Sequence, residues 1–403
     1  MRVTILTQYY PPEIGAPQRR LAQLVEGLIA RGHEVIVLTA MPNYPTGKIF
    51  AGYGGFAREE KGEGARMLRT FIYPTQSAGL GKRLANYFSF VVSSLLVGLV
   101  QLPRCDYVLT ESPPLFLGIT GFFLSRAKRA KWIFNVSDLW PESAVRIGVL
   151  GPGRGLRVSE WLEQFCYEHA WLVSGQSTSI LENIRARFPN TRAYLFSNGV
   201  NTAQFSPAFR NEKFRAYGDG ARPIALYAGL HGLAQGLTQI LDAAKLLGDR
   251  LPVEIFFLGA GPTKRALIDQ ARAQNLTRAH FLESVVAEEM PAWVASADIA
   301  LVTLKDFIPG AVPSKMYEAM ASGAAVLLVA SGEPADIVKK YDAGLVVAPN
   351  DVQGLAHALE TLARDAKLRK RFGENGRRAA EEHFERRAIV ERFVEYLERE
   401  MGD

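Results

Sequence analysis

Short runs rich in β-branched residues alternate with helical segments along most of this chain, and the alternation occurs twice. An extended run at 3–7 leads through a loop into a helical segment at 21–31, which Gly32 ends before a second extended run at 35–39. The pattern restarts at 224–228. Strands separated by helices pair in parallel sheets, and 403 residues are enough for two domains. The sequence therefore predicts an α/β protein with two parallel-sheet domains.

The segment 307–323, FIPGAVPSKMYEAMASG, is the candidate ligand site of the second domain. It follows an extended run at 299–304, and ligands of open α/β sheets bind beyond the carboxyl ends of the strands. Pro313 suits the first turn of a helix, where free N–H groups attract phosphate, and Lys315 adds a positive charge. Glu318 lies one turn further on, where a carboxylate accepts hydrogen bonds from a ribose diol. The alternative is a surface ion pair between Lys315 and Glu318, worth about 0.3 kcal/mol.

Composition excludes several kinds of protein. The two cysteines, Cys105 and Cys166, are too few for a disulfide framework or a thiolate metal site and favour a reducing compartment. The first extended run is too short for a signal peptide, so we expect a cytoplasmic protein. Residues 1–200 contain 22 Lys and Arg against 14 Asp and Glu, which indicates an anionic ligand or surface. No sequence pattern indicates nucleic acid, a metal or a cofactor, and we predict none of them.

Two loops of the first domain contain residues that could bind a substrate with a hydroxyl group, which we call the acceptor. Asp138 follows an extended run at 132–136, where it would position an acceptor hydroxyl or take its proton. Trp140 offers a flat apolar face to a sugar or a prenyl segment. A helix-capping Asp and a core Trp would give the same pattern. Asn43 and Tyr44 are candidates for sugar binding, although most turn-rich loops of this kind are only connectors.

Residues 84–103 contain no charged side chain, and their length permits a membrane span. Asn86, Ser93 and Ser94 make a span unfavourable. We favour a largely buried domain helix, with a helix on the membrane surface as the second alternative and a span as the third.

Residues 313–323 resemble the donor-site helix of the retaining glycosyltransferases of family four, and 137–143 and 196–205 resemble other segments of that family. The resemblance implies the GT-B fold, in which two Rossmann-like lobes with parallel sheets face an interdomain cleft. It places an acceptor-binding lobe at 1–204, a nucleotide-sugar-binding lobe at 205–385 and a final helix at 386–403 that crosses back to the first lobe.

The residue patterns and the resemblance together give three sets of site residues. Asp138 and Lys315 are the candidate catalytic residues. The candidate donor-binding residues are Gly15, Gly229, His231, Gly232, Gln235, Gly259, Val285, Ser314, Lys315, Glu318 and Glu333. The candidate acceptor-binding residues are Arg19, Arg20, Asn43, Tyr44 and Trp140.

Alternatives and departures accompany these assignments. A solvated helix start would also explain Arg19 and Arg20, and a helix-capping acid would explain Glu333. The family has an arginine and a lysine at the donor diphosphate, whereas this chain has Leu230 and Gln235. We therefore expect the backbone N–H groups of 229–232 and the helix N-terminus to do more of the diphosphate binding, with Lys315 as the chief charge.

Two further departures affect the sugar and the acceptor. The first of the family's two glutamates falls on Gly310, so contact with the donor sugar there must involve the backbone or another residue. Ser137 occupies the place of a histidine.

The resemblance implies a retaining hexosyl or N-acetylhexosaminyl transferase. We expect a nucleotide-sugar donor, with UDP favoured over GDP, and a polyprenyl-diphosphate-linked acceptor in the synthesis of cell-surface polysaccharide. A peripheral position on the cytoplasmic face of the inner membrane would suit this acceptor. The alternatives are a nucleotide-sugar epimerase of GT-B-like fold and a non-catalytic nucleotide-sugar-binding protein.

Overall fold

The computed structural model describes residues 1–402 except 63, 76–78, 147, 149 and 213–221. The chain divides into two compact units. Unit 1 comprises Met1–Asn198 and Arg387–Asp403, and unit 2 comprises Gly199–Arg386. The boundaries expected from the sequence are 204 and 385.

Unit 1 is built on a sheet of eight strands in its described part, in the order β3-β4-β2-β1-β5-β6-β7-β8. The strands are β1 (Arg2–Thr7), β2 (Glu34–Ala40), β3 (Ala57–Gly62), β4 (Ala65–Thr70), β5 (Tyr107–Ser112), β6 (Lys131–Val136), β7 (Leu172–Gly175) and β8 (Ala193–Leu195). Neighbouring strands are parallel except β3 and β4, which form an antiparallel pair at one edge.

Helices cover both faces of this sheet because successive strand residues point to opposite sides. The helices are α1 (Ala16–Ala30), α2 (Leu80–Gln101), α3 (Leu117–Lys128), α4 (Glu142–Arg146), α5 (Arg154–His169), α6 (Thr178–Arg187) and the terminal α14 (Arg386–Arg399). Val3 and Ile5 pack with α1 and α14 on one face, whereas Leu6 and Leu38 pack with α2, α3, α5 and α6 on the other. Helix α1 begins five residues before the predicted start, with Gly15 at its N-cap and a proline in its first turn.

The described residues of unit 2 repeat this arrangement around a six-stranded parallel sheet in the order β11-β10-β9-β12-β13-β14. The strands are β9 (Ile224–Ala228), β10 (Glu254–Leu258), β11 (Ala279–Leu282), β12 (Ile299–Thr303), β13 (Ala325–Val329) and β14 (Gly344–Val347). The α-helices are α7 (Thr238–Leu247), α8 (Lys264–Ala273), α9 (Met290–Ser296), α10 (Ser314–Ala321), α11 (Glu333–Lys340), α12 (Val352–Arg364) and α13 (Ala366–His383). Two parallel-sheet α/β units are thus present, and the predicted fold class is confirmed.

Helix α2 contains the long uncharged segment of the sequence. Within the described residues, Gly81–Gln101 is the stretch long and apolar enough to cross a membrane by length and composition, and 39% of its most apolar window is buried in the structure. Its inner face is part of the fold, since Phe90, Val91 and Val97 lie in the core of unit 1. Its outer face is exposed, so the prediction of a largely buried helix holds for one face only.

Candidate functional site

In unit 2 the candidate donor residues lie at the carboxyl ends of the strands. The loop after β9 and the loop after β10 pack backbone against backbone. A Cβ at Gly259 would overlap the carbonyl oxygen of Gly229, and a Cβ at Gly261 would overlap that of His231. Both glycines therefore serve this close packing, and Gly259 does so as part of the scaffold beneath the Gly229 loop.

Hydrogen bonds lock the same two loops together. The N–H of Gly229 donates to the carbonyl of Leu258 (2.8 Å), and the N–H of His231 donates to that of Ala260 (2.8 Å). The sequence predicts that the N–H groups of 229–232 contribute to binding a diphosphate. Two of those four groups are already engaged, so this expectation is wrong for the N–H groups of Gly229 and His231 in this conformation.

Lys315 lies in the first turn of α10, against the Gly229 loop. A Cβ at Gly229 would overlap the Cε of Lys315, and Gly229 has a φ of +143°, a conformation that L side chains rarely adopt. The ammonium nitrogen lies 5.8 Å from the ring centroid of Tyr227. Pro313 is the N-cap of α10 and not, as predicted, part of its first turn. The N–H groups of Ser314 and Lys315 therefore come first in the helix, where an α-helix offers no internal acceptor.

His231 is a residue of the Gly229 loop with a fully buried side chain, and in the part of the chain that the structure describes neither of its ring nitrogens has a hydrogen-bond partner. Burial is the main cause that lowers the pKa of His231 to about 4, and the charges of Lys264 and Lys315 contribute to the same shift. The imidazole is therefore neutral at physiological pH. The Nζ of Lys264 donates to the carbonyl of Leu282 (2.9 Å) and pairs with Glu283 (2.7 Å).

The other candidate donor residues occupy nearby elements of unit 2. Glu318 lies one turn after Ser314 on α10, and both are partly exposed. The carbonyl of Gln235 accepts a hydrogen bond from Thr303 (2.7 Å), which ties the 229–236 loop to the end of β12. The side-chain oxygen of Gln235 lies against Gly232.

Three residues flank these elements. Glu333 is the first residue of α11 and contributes to a raised pKa of the buried Tyr317 on α10, of which burial is the main cause. Val285 packs at the margin of the cluster around Trp293. Gly310 is buried with a φ of +76°.

In unit 1, Asp138 lies just beyond β6. Burial raises the pKa of Asp138 to about 6, against hydrogen bonds from Ser143 and the N–H of Leu139 that lower it. Its carboxyl group therefore changes charge close to neutral pH, which is the property required of a general base. Trp140 is partly buried with its ring 5.5 Å from that of Phe116.

A buried polar network holds the residue before Asp138. The hydroxyl of Ser137 donates to Glu111 and accepts from Arg20 (2.7 Å), and its carbonyl accepts from the side chain of Gln176. Asn135 also donates to Glu111 (2.7 Å). Ser137 thus fixes the backbone that leads to Asp138, and it is largely buried itself.

Arg20 belongs to this network and does not lie on the surface. Its side chain is fully buried, pairs with Glu111 and donates to the side-chain oxygen of Asn198 (2.9 Å). Direct binding of an acceptor by Arg20, and equally a solvated helix start, are therefore incompatible with this structure. Arg19 is partly exposed.

Glu13, in the loop between β1 and α1, links that loop to the 41–48 loop by hydrogen bonds. Its carboxylate accepts from the N–H groups of Asn43 (2.7 Å) and Tyr44 (2.8 Å). The Asn43 side chain is buried and donates to the carbonyl of Met41 (3.0 Å), which leaves Tyr44 as the exposed member of the pair. A Cβ at Gly15 would meet the side chain of Gln18, so the close approach at Gly15 is made by the protein itself.

Sequence reasoning missed three residues that organise these sites, namely Glu13, Glu111 and Lys264. Each of them pairs with a group distant in sequence, and one amino-acid sequence contains no local pattern that identifies such partners. Among the residues that the structure describes, no group of three or more His, Cys, Asp or Glu is arranged to hold a metal ion.

Comparisons with known proteins give one family match in each half of the chain. Residues 15–199 match the family model of a glycosyl transferase 4-like domain, and residues 209–379 match that of glycosyl transferases group 1. The chain is 25% identical over 412 residues to WcaI of Escherichia coli K12, a putative colanic acid biosynthesis glycosyl transferase, with 98% of this chain and 99% of WcaI covered.

Two further proteins are similar to this chain. A GDP-mannose-dependent alpha-mannosyltransferase of Mycolicibacterium smegmatis is 25% identical over 387 residues, with 94% of this chain and 92% of that protein covered. The crystal structure of Anabaena HepE in complex with UDP and glucose superposes with a TM-score of 0.73 over 99% of each chain at 17% identity.

Proposed function

We propose that this chain, which belongs to the GT-B glycosyltransferases, moves a hexosyl or N-acetylhexosaminyl group from a nucleoside diphosphate sugar to a saccharide acceptor with retention of the anomeric configuration. The observation that carries the proposal is the position of Lys315 in the first turn of α10, against the backbone of Gly229. A cation and the first N–H groups of a helix favour an anion at the same place.

The chemistry that we propose depends on the leaving group. As the bond between the anomeric carbon and the diphosphate oxygen breaks, negative charge develops on the diphosphate, and Lys315 and the α10 N–H groups stabilise it. The acceptor hydroxyl forms the new bond on the same face of the sugar, and its proton passes to the departing phosphate oxygen. Glu318, one turn further along α10, would accept hydrogen bonds from the ribose hydroxyls.

For the acceptor we propose a polyprenyl-diphosphate-linked saccharide in the synthesis of cell-surface polysaccharide, met at the cytoplasmic face of the membrane. The relationship to WcaI supports this biological role. In unit 1 the side chains of Asp138 and Trp140 would position the acceptor hydroxyl and its sugar or prenyl segment. With a pKa of about 6, Asp138 is ionised at neutral pH and would accept a hydrogen bond from the acceptor hydroxyl, which orients that group.

Uridine is the nucleoside that we propose for the donor, and guanosine is the competing choice because one relative is a GDP-mannose-dependent enzyme. The test is thermal unfolding with UDP and with GDP, applied to the wild type, to Glu318→Ala and to the control Glu360→Ala on α12 of the same unit. A nucleotide at about a hundred times its Kd adds roughly 2.7 kcal/mol of stability.

One nucleotide should stabilise the wild type and Glu360→Ala but not Glu318→Ala. Stabilisation of Glu318→Ala to the same extent would remove the ribose assignment, and no response to either nucleotide in any form would remove the donor-site proposal. Release of nucleoside diphosphate that depends on an added lipid-linked saccharide would then separate transfer from the epimerase and binding-protein alternatives.

A further inference from the structure

The outer face of α2 is a continuous apolar stripe. Its exposed large side chains are Phe88 (40%), Val92 (54%), Leu96 (50%), Leu99 (42%) and Val100 (84%). Their spacing of three or four residues places them on one side of the helix. Phe123 of the neighbouring α3 is 52% exposed and extends the stripe sideways. We call the outer sides of α2 and α3 the apolar face.

The charges of the apolar face have one sign. The sequences of α2 and α3 contain lysines and arginines and no acidic residue. Lys82 is exposed in the first turn of α2, and Arg126 is exposed near the end of α3. The Nζ of Lys128 donates to the carbonyl of Leu99 (2.7 Å), which places a third cation at the far end of the stripe. An apolar strip with cations at its ends is complementary to an anionic lipid surface.

The inner side of α2 prevents it from leaving the protein. Asn86 accepts from Gln8 (3.0 Å) and donates to the carbonyl of Tyr73 (2.7 Å). Ser93 is hydrogen-bonded with Thr70 (3.0 Å). A Cβ at Gly98 would meet side chains of α3 and β2, so these elements pack tightly on the helix. Insertion across a bilayer would break this packing, whereas binding in the plane of the interface would keep it.

Aromatic contacts connect the apolar face with the candidate acceptor loop. The ring of Phe88 lies 4.9 Å from that of Phe116, which lies 5.5 Å from that of Trp140. On the other side, Phe122 contacts Phe165 of α5 (4.9 Å), and Phe165 stacks with Trp161, which is 62% exposed. Tryptophan is favoured at the boundary of lipid and water. Helix α5 also has exposed acids, so the purely cationic part of this surface is confined to α2 and α3.

We propose that the apolar face of unit 1 docks on an anionic phospholipid bilayer, with α2 lying in the plane of the headgroups and Phe88 directed along the path to Trp140. The inference deepens the proposed function, on whose lipid-linked acceptor its biological purpose rests. Docking in this orientation brings the membrane next to the Trp140 loop, so a prenyl segment would pass along Phe88 and Phe116.

The test is co-sedimentation of the full chain with vesicles of phosphatidylcholine alone and of phosphatidylcholine mixed with phosphatidylglycerol. The wild type should bind the mixed vesicles. Added salt should weaken this binding, because it screens the attraction between the cations of the protein and the anionic lipid. Val92→Glu with Leu96→Glu should weaken binding by roughly tenfold or more, because two exposed apolar contacts become charges. Leu246→Glu, a similarly exposed residue on α7 of unit 2 (51%), is the matched control and should bind as the wild type does.

A second pair of variants tests the charges. Lys82→Gln with Lys128→Gln should remove the preference for phosphatidylglycerol while leaving thermal unfolding and nucleotide stabilisation unchanged. Nucleotide stabilisation in the Val92→Glu, Leu96→Glu variant reports that unit 2 is intact, so loss of vesicle binding cannot be mistaken for failure of the donor site.

Three results would overturn the inference. Absence of wild-type binding to mixed vesicles would do so even if a nucleotide stabilises the protein. Resistance of bound protein to extraction at alkaline pH would indicate a span. A dimer in lipid-free solution that the α2 variant dissociates, together with no vesicle binding, would indicate that a second copy of the chain covers this face.

Discussion

Arg20 and Glu111 form a salt bridge of 2.7 Å in which the two side chains are 0% and 4% exposed. Because a charge in the interior is tolerated only with its partners, this pair determines the surroundings of the whole network. Ser137, Asn135 and Asn198 all donate to or accept from one of the two residues. The function of Arg20 is therefore to position the strand end that precedes Asp138.

Removal of one partner should be costly. Glu111→Gln leaves the buried guanidinium without its counterion, and we expect the free energy of unfolding to fall by about 3–5 kcal/mol. Arg20→Gln should cost a similar amount, and the double variant should cost less than the sum of the two. Urea unfolding followed by tryptophan fluorescence measures these values mainly for unit 1, which contains Trp132, Trp140, Trp161 and Trp171.

The control is the exposed pair of Arg31 and Glu398, which has a contact of 2.6 Å and exposed fractions of 37% and 30%. Arg31→Gln should cost no more than about 1 kcal/mol. Equal losses for Arg20→Gln and Arg31→Gln, or strict additivity in the double variant, would contradict the role given to the buried pair.

The same pair shows where sequence reasoning succeeds and where it fails. The fold was predictable because β-branched runs, helix-ending glycines and amphipathic helices are local signals, and the order of strands and helices implies parallel sheets. The partner of Arg20 is 91 residues away, and the basic residues of a helix start look identical whether they face solvent or a buried carboxylate. The sequence therefore supported an acceptor role and a solvated helix start equally, and the burial of Arg20 excludes both for this residue.

Backbone packing is equally hidden. Gly229 and Gly259 were predicted as donor-binding residues, and both lie at the carboxyl edge of the unit 2 sheet. The sequence does not reveal that Gly259 serves packing against Gly229, nor that the Gly229 N–H group already has an acceptor. Helix α2 gave an ambiguous pattern for a physical reason, since one of its faces is core and the other is as apolar as core but exposed.

Asp138 should make stability depend on pH near neutrality. Its pKa is raised from 3.8 to about 6, so the folded state binds the proton more tightly than the unfolded state. The stabilising contribution is complete below 3.8 and is lost as the pH rises through about 6. Asp138→Asn should therefore be more stable than the wild type at pH 8 by up to about 2–3 kcal/mol, with the advantage disappearing towards pH 4.

Urea unfolding at a series of pH values measures this difference. Glu142→Gln, which removes a partly exposed carboxylate paired with Arg146 (3.1 Å), is the control. Transfer by the wild type should also rise through pH 6, a step that Asp138→Asn lacks. A wild type and Asp138→Asn with parallel stability profiles would show that the carboxyl group is well solvated.

Gly229 should be required for nucleotide binding although it offers no side chain. Gly229→Ala would displace Lys315 and strain the backbone, and we expect nucleoside diphosphate affinity to fall by roughly tenfold or more, as in Lys315→Met, since a lost charged hydrogen bond costs about 1.5–3 kcal/mol. Gly248→Ala is the matched control, because Gly248 also has a positive φ, of +52°, and has open space around it.

Calorimetric titration with UDP and GDP distinguishes a loss of nucleotide affinity from a loss of stability caused by backbone strain. Both glycine variants should lose about 1 kcal/mol of stability from backbone strain, but only Gly229→Ala should lose affinity. If Gly248→Ala weakens nucleotide binding equally, general destabilisation and not the position of Lys315 explains the result.

His231 should make unit 2 less stable in mild acid. Its pKa is lowered from 6.5 to about 4, so the unfolded state binds the proton more tightly, and stability present above 6.5 is lost as the pH falls through 4. Neither ring nitrogen has a partner among the described residues, which costs about 1–3 kcal/mol for a buried polar group. His231→Leu removes both costs, and we expect it to be more stable than the wild type at pH 5 by a larger margin than at pH 8.

His280→Leu is the opposite case in the same unit, because His280 pairs with Glu254 (2.7 Å) and stacks on Phe256. That variant should be less stable than the wild type. Urea unfolding at both pH values, with and without saturating nucleotide, tests whether His231 contacts a bound donor or only packs in the interior of the loop. If a bound donor supplies the missing partner of the imidazole, nucleotide will stabilise the wild type more than His231→Leu, whereas equal stabilisation would assign His231 to the interior of the loop alone.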